Sequence, residues 1–437
     1  MVGIDDLAYY IPSFYLDINT LSEHRSLSFE KLNKGLGLEK MAIPNQNEDA
    51  ATMAANAVKT LIERNNIPLN KIGRIYVGTE SAFDGAKPIA SYVLGMLEDY
   101  FDAGDSMRNI DAVDFTFACI GGVDAFLNTL DWISAKEDRI GIVVSTDNAK
   151  YGLASAGEYT QGAGAIAMLL KSAPRLMVIE PTVGVACKSE HDFFKPLRNL
   201  HASVEEERSY IKLHDATPIY DGQFSNACYS DRLREAFEHF KIQQGESVNI
   251  LDQWQRLIFH LPYAFHGKRI FAEIFMLENE LQDEAESYGD NIKSVYKSEA
   301  YQKFVNEKLE KGQRASSMIG NMYTASIWMA LMSTLTVDLE DKVNLDHEKI
   351  GFCSYGSGSK AKVFEGIMQP GWEHVVQHWY LFESIANRKA INFEVYESLH
   401  NDNCSSLYET EGKFVLTEIC EEPLYGERKY SWLTKQS

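Results

Sequence analysis

The chain has 437 residues, of which 45% are hydrophobic and 24% charged, a composition typical of a globular protein with enough apolar material for large buried sheets. Its formal net charge of −21 at pH 7 disfavours nucleic acid as a partner, because phosphates would be repelled outside a local basic patch. The six cysteines form no CxxC pair and have no regular spacing, so neither a zinc site nor a disulfide framework is predicted.

The N-terminal residues predict no targeting segment. Residues 1–6 lead directly into a strand-like stretch, without a basic region or a long apolar core. We therefore expect neither a signal peptide nor a transmembrane helix, and a cytoplasmic protein without a membrane partner. Free thiols persist in that reducing compartment.

The first part of the chain alternates strand-like and helical stretches. Residues 2–11 predict a strand, 28–38 a helix ended by glycines, and 48–58 an amphipathic helix. Residues 72–81 predict a short β-branched strand with Glu80 at its carboxyl end. Since ligands bind at the carboxyl ends of strands in α/β sheets, Glu80 is a candidate site residue, with a solvated glutamate or a cap as the alternative.

Cys119 follows an apolar, β-prone run and precedes two glycines and a helix. Residues 113–118 predict a strand, and 123–133 carry apolar residues at helical spacing, so the thiol lies at a strand-to-helix turn. The partial positive charge of a helix N-terminus lowers the pKa of a thiol and favours the thiolate. We therefore predict a nucleophile, against the alternative of a small buried hydrophobe.

The α/β pattern resumes after a polar middle section. Residues 185–250, including the charge cluster 205–208, predict surface helices and loops, and the tail beyond 386 predicts polar helices and a strand. Further strand-like or helical stretches are predicted at 140–147, 166–170, 257–263, 270–310, 317–335, 349–359 and 361–367. Apolar strands that alternate with helices indicate an α/β sheet covered on both faces.

Three reactive side chains stand at separate predicted strand or helix tips, namely Glu80, Cys119 and His260. Acyl transfer with carbon–carbon bond formation uses all three types. A thiolate takes the acyl group, a carboxylate removes a proton next to a thioester, and an imidazole manages the remaining proton. Spacing in sequence does not bring them together in space, and a lone histidine is more often structural.

Seven short motifs occur in an order that resembles a known family. They are Gly-Thr-Glu-Ser at 78–81, Ala-Cys-Ile-Gly-Gly at 118–122, the glycine-rich 147–152 with 157–165, Asp-Phe-Phe-Lys-Pro at 192–196, Phe-His-Leu-Pro-Tyr at 259–263, Gly-Asn-Met-Tyr at 320–323 and Ser-Tyr-Gly-Ser-Gly-Ser at 354–359. Over residues 2–365 the chain resembles the 3-hydroxy-3-methylglutaryl-CoA synthase family of thiolase-fold condensing enzymes.

The resemblance implies a duplicated thiolase-like α/β fold with five αβαβα layers. Residues 1–172 would form the half with the nucleophile and the general base, and 173–437 the half with the catalytic histidine and the contacts to CoA and acetoacetyl. It implies a homodimer and an acyltransferase of the mevalonate pathway of isoprenoid biosynthesis. Acetyl-CoA and acetoacetyl-CoA would be substrates, with no cofactor and no metal.

The resemblance also implies roles for the three reactive residues. Cys119 would be acetylated, and Glu80 would remove a proton from the acetyl methyl group. His260 would polarise the acetoacetyl group and assist the protonation changes of the thiol. Backbone N–H groups of Cys119 and Ser357 would form an oxyanion hole.

Further positions match substrate-contacting residues of the family. Asn321 would orient the acetoacetyl group, and other active-site positions are matched by Tyr151, Asp147, Asp192, Thr160 and Tyr323. For the two aspartates the alternative is capping of turns or helices. Lys268 matches a basic position that meets CoA phosphates, whereas Phe265 stands where a second lysine often occurs. The Phe-His-Leu-Pro context favours His260 over its neighbour His266 as the catalytic histidine.

Two alternatives remain open at this point. A β-branching synthase of the same fold, which acts on β-ketoacyl groups held on a carrier protein, would keep the same three reactive residues. A non-catalytic acyl-CoA-binding homologue is disfavoured because Glu80, Cys119 and His260 are all present.

Overall fold

The computed structural model describes residues 1–195, 217–245, 249–402, 411–421, 424 and 426–434, with the backbone alone of 197–204 and 207–214. Pro196 of the motif at 192–196, and residues 205–206 of the charge cluster, lie outside the described residues. Across the described ranges, no helix combines the length and the apolarity needed to cross a bilayer.

Strands and helices alternate along the chain, with short 3-10 or π turns at 31–35, 69–71, 158–160 and 323–325. The strands are β1 (Val2–Tyr10), β2 (Phe14–Asp17), β3 (Lys40–Ile43), β4 (Ile72–Gly78), β5 (Asp111–Phe115), β6 (Ile140–Ala149), β7 (Gly162–Ser172), β8 (Met177–Cys187), β9 (Phe193–Phe194), β10 (Leu197–Val204), β11 (Glu207–His214), β12 (Ile219–Tyr220), β13 (Trp254–Phe259), β14 (Lys349–Gly356), β15 (Lys360–Met368), β16 (Lys389–Ala390), β17 (Lys413–Ile419) and β18 (Arg428–Leu433). The helices are α1 (Ile18–His24), α2 (Ala50–Asn65), α3 (Ile89–Phe101), α4 (Gly121–Ser134), α5 (Gly222–Gln244), α6 (Ile250–Gln253), α7 (His266–Ile270), α8 (Ala272–Glu278), α9 (Tyr288–Lys297), α10 (Glu299–Lys308), α11 (Glu310–Ile319), α12 (Ser326–Glu340), α13 (Glu373–Val376), α14 (Leu381–Ala386) and α15 (Phe393–His400).

The main sheet repeats one pairing pattern twice. Its nine strands have the order β13-β14-β15-β8-β1-β7-β6-β4-β5. In the first half β4 and β6 are parallel, and β6, β7 and β1 are successively antiparallel. In the second half β13 and β14 are parallel, and β14, β15 and β8 are successively antiparallel. Because the same pattern recurs in the same chain order, the predicted duplication is confirmed.

Three helix layers enclose the two halves of the sheet. Along β6, Ile142 and Val144 pack with α2 on one face and Val143 packs on the α4 side, as the period of two in a strand requires. Helices α4 and α12 lie between the halves, where the Phe126 ring centroid is 4.7 Å from that of Trp328. Helix α5 covers the outer face of the second half. This arrangement is the predicted five-layer αβαβα fold.

One local prediction was confirmed and another was wrong. Residues 29–36 are helical, with a π-helical middle part at Lys31–Gly35, and the helix ends before Gly37, which has a φ of 76°. The section 185–250 was predicted as helices and loops, but it contains the antiparallel hairpin β10–β11 before α5. Such a hairpin is held by hydrogen bonds between its strands, and a polar composition without strong alternation does not reveal them.

The tail contains α15 and a hairpin, β17–β18, where polar helices and one strand were predicted. The hairpin packs on the start of α2. Lys413 Nζ lies 2.8 Å from Glu48 Oε1, and the Tyr430 hydroxyl donates to Asp49 Oδ2 at 2.8 Å. Asp49 also caps α2 by accepting from the Thr52 N–H. The tail is therefore anchored to the first half of the fold.

Candidate active site

The backbone of Glu80 is fixed at the end of β4. The Asp147 carboxylate accepts hydrogen bonds from the Glu80 N–H at 2.7 Å and from the Ser81 hydroxyl at 2.8 Å. Gly78 brings this end of β4 against the first turn of α4, because a Cβ at residue 78 would lie 2.3 Å from the backbone of Gly122. The general-base candidate is thus held beside the helix that follows Cys119.

Cys119 lies in a tight turn between β5 and α4. Ala118 has a φ of 41°, in the left-handed region, and the Ile120 N–H donates to the Phe117 carbonyl at 3.2 Å. The predicted strand 113–118 therefore ends early, at residue 115. The turn directs the thiol at the general-base candidate, and Cys119 Sγ donates to Glu80 Oε1 at 2.9 Å.

The pKa of the Cys119 thiol differs from the sequence-based prediction. Burial raises this pKa well above its usual range, and the negative charge of Glu80 raises it further. This direction is opposite to the lowering that the N-terminus of α4 led us to expect. The prediction of a lowered thiol pKa was therefore wrong, and the thiol is protonated in the free protein.

His260 follows β13 and shares a cavity with Cys119. Its backbone N–H donates to the Cys353 carbonyl at 3.0 Å, and the Tyr229 hydroxyl donates to its carbonyl at 2.8 Å. Its Nδ1 is buried without a hydrogen-bond partner among the described residues. Burial lowers the pKa of the imidazole to about 3, so the ring is neutral at neutral pH. A neutral imidazole accepts a proton at one nitrogen and donates one at the other.

The cavity that joins Cys119 and His260 has a volume of about 420 Å³. The predicted residues Tyr151, Thr160, Asn321, Tyr323 and Ser357 also line it. The structure therefore brings these seven side chains together. Asn321 Oδ1 accepts from the Tyr323 N–H at 2.8 Å and from the Ser326 hydroxyl at 3.1 Å, which holds the amide in one orientation.

Two family models match the chain, and together they cover most of its length. The model described as hydroxymethylglutaryl-coenzyme A synthase N terminal matches residues 1–174, and the C-terminal model matches 184–403. The chain belongs to the hydroxymethylglutaryl-CoA synthase family.

Relatives and solved structures agree with this assignment. The hydroxymethylglutaryl-CoA synthase of Haloferax volcanii is 31% identical, over 92% of this chain and 91% of its own length. That of Schizosaccharomyces pombe is 31% identical, over 91% of this chain and 88% of its own length. The structure of MvaS in complex with 3-hydroxy-3-methylglutaryl coenzyme A has a TM-score of 0.84 at 27% identity and covers 99% of both chains. The HMG synthase of the curacin pathway has a TM-score of 0.80 at 20% identity, which shows a shared fold.

Lys195 belongs to the motif at 192–196, but no role was predicted for it. Its Nζ lies 3.5 Å from Glu80 Oε2 and donates to the Glu80 carbonyl at 3.4 Å. The ammonium also lies 4.5 Å from the ring centroid of Tyr323. The basic position of the motif at 192–196 is the feature of the sequence that could have indicated this contact. Lys195 is the cation that accompanies the general-base candidate.

The two predicted aspartates do not line the cavity, and each accepts hydrogen bonds from neighbouring backbone N–H and hydroxyl groups. Asp192 accepts hydrogen bonds from the Gly358 N–H and the Tyr355 hydroxyl, both at 2.8 Å, and so holds the turn that contains Ser357. Asp147 is fully buried, and burial followed by the charge of Glu80 raises its pKa to about 6. Asp192 thus holds a turn and Asp147 holds the end of β4, while the active-site roles implied for both residues stay predictions.

The basic residue at the cavity mouth is Arg269, next to the predicted Lys268. Arg269 is exposed, lines the cavity and donates to the Gly35 carbonyl at 2.7 Å. Lys268 is half-buried, and its Nζ lies 3.4 Å from the ring centroid of Phe265. Lys268 does not line the cavity. Because the two residues are adjacent in the short helix α7, their side chains point in different directions, and only Arg269 lines the cavity.

Proposed function

We propose that this chain condenses acetyl-CoA with acetoacetyl-CoA and water to give 3-hydroxy-3-methylglutaryl-CoA and free CoA. The observation that carries the proposal is the 2.9 Å contact between Cys119 Sγ and Glu80 Oε1 beside the cavity that holds His260. A nucleophile and a base in contact suit a reaction in which the acyl group on sulfur is deprotonated next. Family membership supports the same reaction.

The first step is acetylation of Cys119. Its sulfur attacks the carbonyl of acetyl-CoA, and the bond from that carbonyl to the CoA sulfur breaks. The thiol proton must leave during the attack, because the pKa of Cys119 is raised. The neutral His260 accepts this proton and passes it to the departing CoA sulfur. Backbone N–H groups of Cys119 and Ser357 would stabilise the oxyanion, a contribution of roughly 3–4 kcal/mol in similar sites.

The second step forms the carbon–carbon bond. Glu80 takes a proton from the acetyl methyl group, and the resulting enolate adds to the ketone carbon of acetoacetyl-CoA. His260 donates its ring proton to that ketone oxygen, which becomes the tertiary hydroxyl of the product, and the proton that Glu80 removed restores the neutral imidazole. Asn321 would orient the acetoacetyl group, with Tyr151, Thr160 and Tyr323 forming the surrounding wall. Water finally cleaves the thioester at Cys119.

Free CoA thioesters are the proposed substrates, in preference to carrier-bound ones. Arg269 at the cavity mouth, with Lys268 beside it, supplies the positive charge that CoA phosphates need on a chain with a net charge of −21. Among the related proteins, the HMG synthase solved in complex with its donor carrier protein is 20% identical to this chain.

We also propose a cytoplasmic homodimer of the mevalonate pathway, with the halves divided at 172/173. Strand β5 supports the dimer, because it lies at one edge of the nine-stranded sheet, where its free backbone groups can pair with a second copy of the chain. Val113 in this strand is 39% exposed, which leaves an apolar side chain available for such a contact. The reaction as written balances without a cofactor or a metal.

Mass spectrometry of the purified protein with acetyl-CoA tests the reaction. We expect an acetyl adduct on Cys119 that is absent in Cys119→Ala, and formation of 3-hydroxy-3-methylglutaryl-CoA once acetoacetyl-CoA is added. Full turnover by Cys119→Ala would refute the mechanism. A strong preference for an acetoacetyl carrier protein over acetoacetyl-CoA would replace the proposed substrate class.

A further inference from the structure

A second cavity reaches Glu80 from a side that does not include Cys119. It has a volume of about 910 Å³, and its lining includes Glu80, Ser81 and Lys195. No described residue lines both this cavity and the one that contains Cys119 and His260. The pair Cys119–Glu80 therefore separates the two cavities.

The second cavity is polar where it approaches the reaction centre. Asn148 and Lys150, at the end of β6, line it together with Lys195. Residues 416–419 of β17 and Arg428 of β18 also line it. This hairpin lies beyond residue 403, where the match to the family model ends. A wide polar space of this kind holds water readily.

The last step of the proposed reaction needs a water molecule when the first cavity is full. After condensation the product is joined to Cys119 by one thioester and to CoA by another, so the CoA arm still occupies the cavity with His260. Water must add its oxygen to the acyl carbon while the bond from that carbon to Cys119 Sγ breaks. One proton of the water ends on the sulfur, and the free carboxylic acid forms. Water that arrives by a second route meets no such obstruction.

We propose that the second cavity is the entrance for the hydrolytic water, and that Lys195 forms its inner end. The Lys195 ammonium contacts both Glu80 Oε2 and the Glu80 carbonyl, so water that reaches it is adjacent to the base. The inference rests on the proposed function, since only a product tethered to CoA blocks the first cavity. It assigns the β17–β18 hairpin a purpose, which is to form the outer wall of the water route.

Two variants that fill the second cavity from different elements test the proposal. Ala82→Phe adds a ring beside the loop after β4, and Thr417→Phe adds one from β17; both residues line the cavity. Ala86→Phe is the matched control, because Ala86 lies in the same loop, is exposed and does not line the cavity. Acetylation, condensation and hydrolysis are followed in single turnovers by intact-protein mass spectrometry.

We expect hydrolysis to slow by about tenfold or more in at least one filled variant, with acetylation and condensation at wild-type rates. The 3-hydroxy-3-methylglutaryl adduct on Cys119 then accumulates, while Ala86→Phe behaves as wild type. Wild-type hydrolysis in both filled variants, or an equal loss in all three steps, would overturn the proposal. A wild-type protein that forms no acetyl adduct would instead refute the proposed function.

Discussion

Asp147 in the first half of the fold and Thr324 in the second are joined by two hydrogen bonds. The Thr324 N–H donates to Asp147 Oδ2 at 3.0 Å, and the Thr324 hydroxyl donates to the same oxygen at 2.5 Å. The other oxygen, Oδ1, accepts from the Glu80 N–H. One buried carboxylate thus fixes the base relative to the segment that begins with Asn321.

Asp147→Asn should lower the rate of condensation by roughly 100-fold, because an amide cannot accept all these hydrogen bonds and small displacements of a base are costly. Single-turnover formation of the carbon–carbon bond measures the loss. Thr324→Val is the control that removes one donor and keeps the bond to Glu80, so its effect should be much smaller. Equal losses in the two variants would contradict the role of Asp147 in positioning Glu80.

Glu80→Gln should retain acetylation of Cys119 and abolish condensation. The charge of Glu80 raises the pKa of the thiol, so the neutral amide removes this opposition to thiolate formation. It also removes the base that deprotonates the methyl group. Mass spectrometry should show the acetyl adduct with no product after addition of acetoacetyl-CoA. If Glu80→Gln formed no acetyl adduct, Glu80 would act in the acetylation step instead.

Lys195→Met should slow condensation more than acetylation. The ammonium lies 3.5 Å from Glu80 Oε2 and balances the negative charges of Glu80 and Asp147 in a buried site. Without it the carboxylate loses its ion-pair partner and its orientation. Lys195→Arg keeps the charge and should recover a substantial part of the rate. A rate in Lys195→Met equal to wild type would exclude the contact from the mechanism.

The fold and the three reactive residues were predictable from the sequence, whereas their electrostatics were not. Strand tips and helical spacing marked Glu80, Cys119 and His260 as candidates, the family resemblance implied that they share one site, and the structure brings them together. The pKa of Cys119 depends on its burial and on the charge of Glu80, which spacing does not encode.

Some local details could not be predicted from the sequence, because they depend on residues that are distant in sequence and close in space. Lys268 turns onto the Phe265 ring, and Arg269 reaches the cavity mouth, because they occupy different sides of α7. The hairpin β17–β18 is formed by pairing between strands, so a linear pattern of polar residues did not indicate it. In each case the missing information is a contact between parts of the chain that are not adjacent in sequence.

Arg269→Ala should raise the KM for both CoA thioesters by roughly tenfold with little change in kcat, since it lines the mouth and not the reaction centre. Lys268→Ala is the matched control on the same helix. Its ammonium contacts the Phe265 ring, so its KM values should change less. The effect of Arg269 should weaken as ionic strength increases. A larger increase in KM in Lys268→Ala than in Arg269→Ala would show that Lys268 makes the phosphate contact.

His266→Leu should increase the free energy of unfolding, and the increase should grow as the pH falls. Both ring nitrogens of His266 are buried without a partner among the described residues, and burial, followed by the nearby His260, lowers the pKa of His266 to about 3. Between pH 6.5 and 3 the unfolded chain therefore binds a proton that the folded chain does not, so wild-type stability falls as the pH falls through this window. Leucine removes this loss, worth about 2 kcal/mol at pH 5 relative to pH 7.5. Urea unfolding at the two pH values measures it, and a difference between variant and wild type that stays constant with pH would show that His266 binds its proton equally well in the folded and unfolded chains.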